Sequence, residues 1–202
     1  MKNLVLVGFG GHAKSVADCI ERQGEYNIVG YTDINDNNVC YKYLGTDSKL
    51  SEIFASGVEY AFITVGFMGE GSLREKLYAD LKTIGFQIPT IIDPSSVIAS
   101  SAEIDEGTFI GKKAVINAEA CIGKNVIINT SAVVEHETQI KDYSHVAVGA
   151  IICGNAKVGK SCLVGAGATV IQEVTIGNNS VVAAGSTVIN SLCDNSVYYG
   201  IK

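Results

Sequence analysis

Hydrophobic positions follow two different patterns along this chain, and the second is the stricter. From Ile98 to Val188 every sixth residue is Ile or Val, through sixteen successive positions without a slip of phase. A short fixed period with one aliphatic slot predicts a stacked solenoid, in which each repeat buries its apolar face only against its neighbours. Four residues after the slot the chain is mostly small (Ala102, Thr108, Ala114, Ala120, Ala132), and two residues after it mostly polar or Gly (Ser100, Glu106, Lys112, Lys124, His136). In a straight strand all three positions would share one face, because side chains alternate with period two. The chain is therefore expected to bend once per hexad, turning the second position outward. Three bent hexads then close one triangular coil of 18 residues.

Stepping by 18 along the outward position separates three corners. Glu106, Lys124, Asp142, Lys160 and Asn178 predict a solvated edge. Lys112, Thr130, Val148, Ala166 and Ala184 become small and apolar toward the end, as a narrow ligand groove or a subunit contact requires. Ser100, Ala118, His136, Gly154, Gln172 and Asn190 form the third column, which carries a histidine. The unbroken phase leaves no long inserted loop, so a second wall for a site on the solenoid must come from the other domain or from another subunit.

Residues 1–92 alternate strands and helices. Leu4–Val7 reads as a strand, Gly8-Phe9-Gly10-Gly11 as a tight turn, and Ala13, Val16, Ala17 and Ile20 as one helical face closed at Gly24. Ile28–Tyr31 is a second strand ending at Asp33, Asp47 is expected to cap a helix through Phe54, and Tyr60–Val65 is a third strand. A helix over Ser72–Ile84, stopped by Gly85, precedes an exit segment at Ile88–Ile92. The Asp93-Pro94-Ser95-Ser96 turn signal places the boundary. The expected fold is a small α/β, Rossmann-like parallel sheet over 1–92 followed by an all-β solenoid over 93–202.

Composition narrows the function. The chain has 202 residues, 47% of them hydrophobic, and a net charge of -6 from interspersed acids and bases. It has no basic stripe, which argues against nucleic acid as a partner. No apolar stretch is long enough to span a bilayer and no cleavable leader is evident, so a cytoplasmic protein without a membrane partner is expected. Six cysteines lie far apart without C-x-x-C, which suits reduced, buried or half-buried thiols and not zinc or disulfides.

Two segments carry chemistry. Gly8-Phe9-Gly10-Gly11-His12-Ala13 fits G-x-G-x-x-A between a strand and a helix, with Asp33 at the end of the next strand, as a nucleotide-binding turn requires. The half-domain is too short for the two βαβαβ halves of an NAD site, so a nucleotide-sugar is the better ligand, its pyrophosphate on the helix N-terminus near His12. Arg74 is expected on a solvated helix face. Only three histidines exist, and His136, flanked by Glu135 and Glu137, is the best placed for proton transfer near neutral pH.

The block Asn129-Thr130-Ser131-Ala132-Val133-Val134-Glu135-His136-Glu137, continued by Ser144-His145-Val146-Ala147-Val148-Gly149 and Cys153-Gly154-Asn155, resembles the hexapeptide-repeat sugar acetyltransferases of the PglD and NeuD type. That resemblance implies a left-handed parallel β-helix. It implies His136 as general base with Glu137 raising its basicity, and acetyl-CoA as co-substrate contacted by His145, Ala166 and Ala184. For the nucleotide-sugar it implies Gly10, Gly11, His12, Asp33 and Gly66. A homotrimer with sites at subunit interfaces, and no metal, complete what it implies. The expected reaction is N-acetylation of a nucleotide-linked 4-amino-deoxysugar. O-acetylation of sialic acid or another sugar hydroxyl uses the same base and stays open. A metal-dependent hydratase of the γ-carbonic-anhydrase type needs three histidine ligands, and the β-helix carries two, His136 and His145. Relatives commonly finish in G-x-P-A-K, whereas this sequence finishes Tyr199-Gly200-Ile201-Lys202, so coenzyme contacts there are expected to be shortened or different.

Overall fold

The computed structural model describes residues 1–66 and 72–200. Strands β1 (Lys2–Val7), β2 (Tyr26–Thr32) and β3 (Tyr60–Ile63) form a parallel sheet in the order β2-β1-β3. Helix α1 (Gly11–Gln23) buries Ala13, Val16, Ala17, Cys19 and Ile20, the stripe that the apolar spacing predicts. It ends where the Gly24 N–H bonds the Ile20 carbonyl. A short 3-10 turn, Asp47–Lys49, leads into α2 (Leu50–Ala55), and α3 spans Ser72–Ile84. Asp47 does not cap. Its carboxylate accepts the Thr32 hydroxyl at 2.7 Å, tying the start of this segment to the end of β2.

The solenoid ladder begins before the Asp93–Pro94 turn, because Ile91–Ile92 already pairs with Phe109–Ile110. From there two-residue strands stack in three parallel sheets of seven, six and five strands. Ile110, Ile128 and Val146 pair in register, as do Ile116, Val134 and Ile152, so one coil is 18 residues. The aliphatic slot from Ile110 to Val188 is buried throughout, with the small residues Ala114, Ala132, Ala150 and Ala168 at 0% exposure between its layers. That core holds no charged side chain, and the coils bury their apolar area only against one another.

The bend has one recurring geometry. At every third residue after the slot, from Gly107 to Gly185, the backbone is left-handed, including at Lys113, Glu119, Ser131, Glu137 and Tyr143. A non-glycine residue there costs about 1–2 kcal/mol. From the third coil onward what holds it is a hydrogen bond from its N–H to the corner carbonyl one coil earlier, as in Ser131 to Lys112, Glu137 to Ala118 and Asn155 to His136, while Lys113 and Glu119 donate to the Ser95 and Ser101 hydroxyls. At one corner a hydroxyl supplements this ladder. Thr108 Oγ1 donates to the Gly123 carbonyl at 2.7 Å and accepts from Val126 N–H at 3.0 Å, and Ser144 repeats the arrangement with Gly159 and Cys162.

The prism has three outward faces. The first presents Ile91, Phe109 and Ile127, which join the α1 side chains in one buried cluster, followed by His145, Leu163 and Val181. The second presents Val97, Val115, Val133 and Ile151, and the third Glu103, Cys121, Gln139 and Lys157. The α/β domain straddles the first face. Along the corner shared with the second face, Asp18 and Arg22 of α1 pair with Lys112 at 2.5 Å and Asp93 at 2.9 Å. Along the corner shared with the third, α3 is pinned by Glu75 to Lys160 at 2.7 Å, by Lys82 to Glu106 at 3.0 Å, and by the Tyr78 hydroxyl to Glu106. In the Glu106–Lys124–Asp142–Lys160–Asn178 column, Glu106 and Lys160 are therefore docking contacts and not solvated ones, while Lys124 and Asn178 are exposed as expected. A column of alternating charge reads the same in water as against a helix that supplies the complementary charges.

Among the described residues no helix is long and apolar enough to cross a membrane. The cysteines are free thiols, with Cys19 and Cys162 buried and Cys153 half-buried; Cys40, Cys121 and Cys193 are exposed, contrary to the expectation of burial for all six. Replacing Thr108 by the isosteric Val leaves the Gly123 carbonyl and Val126 N–H buried without partners. We expect a loss of about 1–3 kcal/mol in denaturant unfolding, against a change within about 0.5 kcal/mol for Thr187→Val on the exposed second face.

Candidate active site

His136 lies at the corner between the second and third faces, and the left-handed turn after it brings Glu137 back beside the ring. Glu137 Oε2 is 3.0 Å from His136 Nδ1, and the two side chains are 59% and 58% exposed, so the pair faces open solvent in a single chain. A carboxylate at Nδ1 selects the Nδ1–H tautomer and leaves Nε2 as the proton acceptor. The ring lies over Gly154, one coil further on, where a Cβ would fall 2.6 Å from both Cε1 and Nε2. Only a glycine at that corner lets the imidazole rest on the next coil. The 18-residue step already places Gly154 in the column of His136, and that period is the signal that would have found it.

The opposite edge of the prism gathers a second set. His145 stands on the first face, and Val148, Ala166 and Ala184 follow at the adjoining corner, all three of those exposed. Asn129 presents its amide to His145, with Nδ2 3.3 Å from Nε2, while its Oδ1 accepts the Thr130 N–H at 2.8 Å. His145 thus shares one edge with Ala166 and Ala184. His136 and Glu137 are not brought to it, because they lie at the other edge of the second face.

The nucleotide-type turn forms the third set, at the C-terminal ends of β1 and β3 where the strand order reverses. Gly8 has φ +88°, and a side chain there would meet Val65 at 2.7 Å, so β1 and the chain beyond β3 approach closely at this point. Gly10 precedes α1 with no side-chain cap, Gly10 and Gly11 have open space where a Cβ would stand, and a Cβ at Gly66 would stand 3.7 Å from the His12 Cβ. Backbone N–H groups at the start of α1 can therefore meet an anion. Asp33 ties the loop internally: Oδ2 accepts from Phe9 N–H at 2.8 Å and Asn37 Nδ2 at 2.9 Å, and Oδ1 from Ile34 N–H at 2.6 Å. The His12 ring packs edge-on against Phe109 with its Nε2 buried, so at this loop it is the backbone and not the imidazole that faces outward.

Between the second and third sets lies a junction that the sequence does not reveal. Arg74, expected on a solvated face, is 2% exposed, and its Nη2 donates to the carbonyl and the Oδ1 of Asn125 at 2.7 and 2.6 Å. Its cation acts on both histidines nearby. Burial first, and then the Arg74 charge, push His145 down to about 4. Burial, Arg74 and His145, in that order, push His12 down to about 3. Both imidazoles are neutral across the physiological range. Among the described residues no three metal-ligating side chains converge.

Two family descriptions match the chain: the PglD N-terminal domain over residues 3–81, and the bacterial transferase hexapeptide (six repeats) over residues 155–190. The UDP-N-acetylbacillosamine N-acetyltransferase of Bacillus subtilis is 36% identical over 115 residues, which is 54% of this chain and about half, 51%, of that enzyme. A histidine-to-alanine variant of GDP-perosamine N-acetyltransferase from Caulobacter crescentus, solved with CoA and GDP-perosamine, is 31% identical with a TM-score of 0.92, over 98% of this chain and 93% of that one. The acetyltransferase domain of PglB from Neisseria gonorrhoeae, solved with acetyl coenzyme A, is 26% identical with a TM-score of 0.90, over 97% and 95%. With both halves matched and a relative 31% identical across nearly its whole length, the chain belongs to the hexapeptide-repeat acetyltransferases of the PglD type.

Proposed function

We propose that this protein transfers the acetyl group of acetyl-CoA directly to the amino group of a nucleotide-linked 4-amino-deoxysugar. The observation that carries the reading is the exposed His136–Glu137 pair resting on Gly154. His136 Nε2 accepts a proton from the sugar amine as the nitrogen attacks the thioester carbonyl. The tetrahedral intermediate collapses with loss of the coenzyme thiolate, to which the imidazolium returns the proton. Glu137 holds the ring and stabilises its charged form, and backbone N–H groups at the glycine-rich corners can take the oxyanion. The relatives named for CoA, GDP-perosamine and UDP-N-acetylbacillosamine support the substrate class.

The site needs more than one copy of the chain. His136 stands at the corner opposite the first face, which carries His145, and the width of the second face separates it from Ala166 and Ala184. The second face, with Val97 63% and Ile151 39% exposed, is an apolar sheet surface that a neighbour can cover. A homotrimer packed through these faces brings the base of one subunit to the coenzyme edge and nucleotide turn of the next. Light scattering should give three times the monomer mass; full activity in a monomer would refute the shared site.

Substituting His136 by Ala should lower kcat by about 10² to 10⁴, and a loss below about tenfold would remove it as the base. Gly154→Ala keeps an allowed backbone but drives a methyl into the imidazole, so kcat should fall by about tenfold to 100-fold, as misplacement of a catalytic group does, with the melting temperature little changed. Incubating acetyl-CoA with UDP-, GDP- and dTDP-linked 4-amino-sugars should give one product carrying a transferred acetyl group by mass spectrometry. That product should resist hydroxylamine, whereas an O-acetyl ester is cleaved by it and would shift the reading to a hydroxyl acceptor.

A further inference from the structure

Arg74 is a buried cation with no acidic partner among the described residues. Its Nη2 is spent on Asn125, while Nε and Nη1 are buried without a hydrogen-bond partner among the described residues. Such a charge is costly to bury. The groups its charge acts on are two half-buried histidines, His12 from α1 and His145 from the solenoid, and Tyr143, whose ring meets Tyr78 of α3 edge-on and lies under the Lys160 ammonium. Even so displaced, the guanidinium is lowered only to about 10, by burial, and stays charged at neutral pH.

We infer that Arg74 is a positioning residue, which locks α3 to the solenoid at Asn125 and presents a fixed positive charge to His12 and His145, so that the coenzyme-edge imidazole remains an uncharged hydrogen-bonding group. Two observations agree on the state of His145. The Asn129 Oδ1 is taken by the Thr130 N–H, so an amide donor faces His145 Nε2, and a donor can bond only an unprotonated nitrogen. Independently, burial and the Arg74 cation both disfavour the imidazolium. The consequence for chemistry rests on the acetyltransferase reading: a neutral His145 bonds the uncharged amide or thioester groups of the coenzyme in one orientation at every working pH. Placing this residue on α3, the helix that follows β3, makes the docking of the nucleotide domain a condition for the state of the coenzyme edge.

The test is an NMR titration of the three histidines in the full-length protein, with KM for acetyl-CoA measured against pH. In the wild type, His12 and His145 should show neutral imidazole shifts down to pH about 5. An ordinary His145 titration there would overturn the inference without any variant. In Arg74→Met the His145 midpoint should rise by about one pH unit, as loss of a neighbouring like charge allows, and KM for acetyl-CoA should increase several-fold as the pH falls toward that midpoint. Arg74→Lys should keep the midpoint low and KM flat with pH, although it loses one of the Asn125 bonds. A folded Arg74→Met protein whose His145 midpoint is unmoved would also overturn it. The titration requires no turnover, so it stands or falls separately from the acetyltransferase reading, which fails only if no acetyl group is transferred.

Discussion

The hydrogen bond from a left-handed corner residue to the corner one coil earlier, to its carbonyl at all but Lys113 and Glu119, is the interaction on which the rest of this structure depends. It converts a local penalty of about 1–2 kcal/mol at each non-glycine corner into a continuous ladder, because the alternative is a buried or half-buried N–H without a partner. Once that bond repeats, the coil length is constant and every side chain acquires an address: slot, corner or face. Glu137 illustrates the consequence. A glutamate has no intrinsic preference for its φ of 59°, yet the Ala118 carbonyl holds it there, and that conformation sets its carboxylate against the His136 ring.

The second organising contact is the seating of the α/β domain on the first face. Apolar burial supplies the adhesion, through Phe109 and Ile127 against the α1 side chains. The exposed ion pairs at the two flanking corners add register and little energy. Because α1 and α3 lie on opposite corners of one face, their N-terminal turns both point toward the coil that carries His145. The nucleotide-type turn, Arg74 and the His145 edge are consequently parts of one junction, while His136 is left on the far corner. A chain built this way has complementary halves of a site facing away from each other, and association through the apolar second face is the economical way to join them.

Much of this was legible in the residues themselves, for identifiable reasons. The aliphatic slot is visible because an 18-residue coil tolerates no variation in what points at its axis, and Asn125, Asn155 and Asn179 mark left-handed corners by their own preference. The glycine turn and the His136 block are contiguous in sequence, so their chemistry can be read without a fold. Arg74 could not be read. Its position on an amphipathic helix looks solvated, and only Asn125, 51 residues away, reveals that a solenoid corner covers it. Glu106 and Lys160 misled for the same reason, since their charges answer α3 and not water.

Sequence alone determined the architecture, the coil period, the nucleotide-type turn and the adjacency of His136 and Glu137, because each is specified by residues a few positions or a fixed step apart. Tertiary structure decided which elements meet: that α3 docks on a charged corner, that Arg74 becomes a buried cation beside two neutral histidines, and that His136 and His145 stand on opposite sides of the core. Those outcomes depend on the packing of segments 50 or more residues apart, and no local preference of the chain encodes that packing.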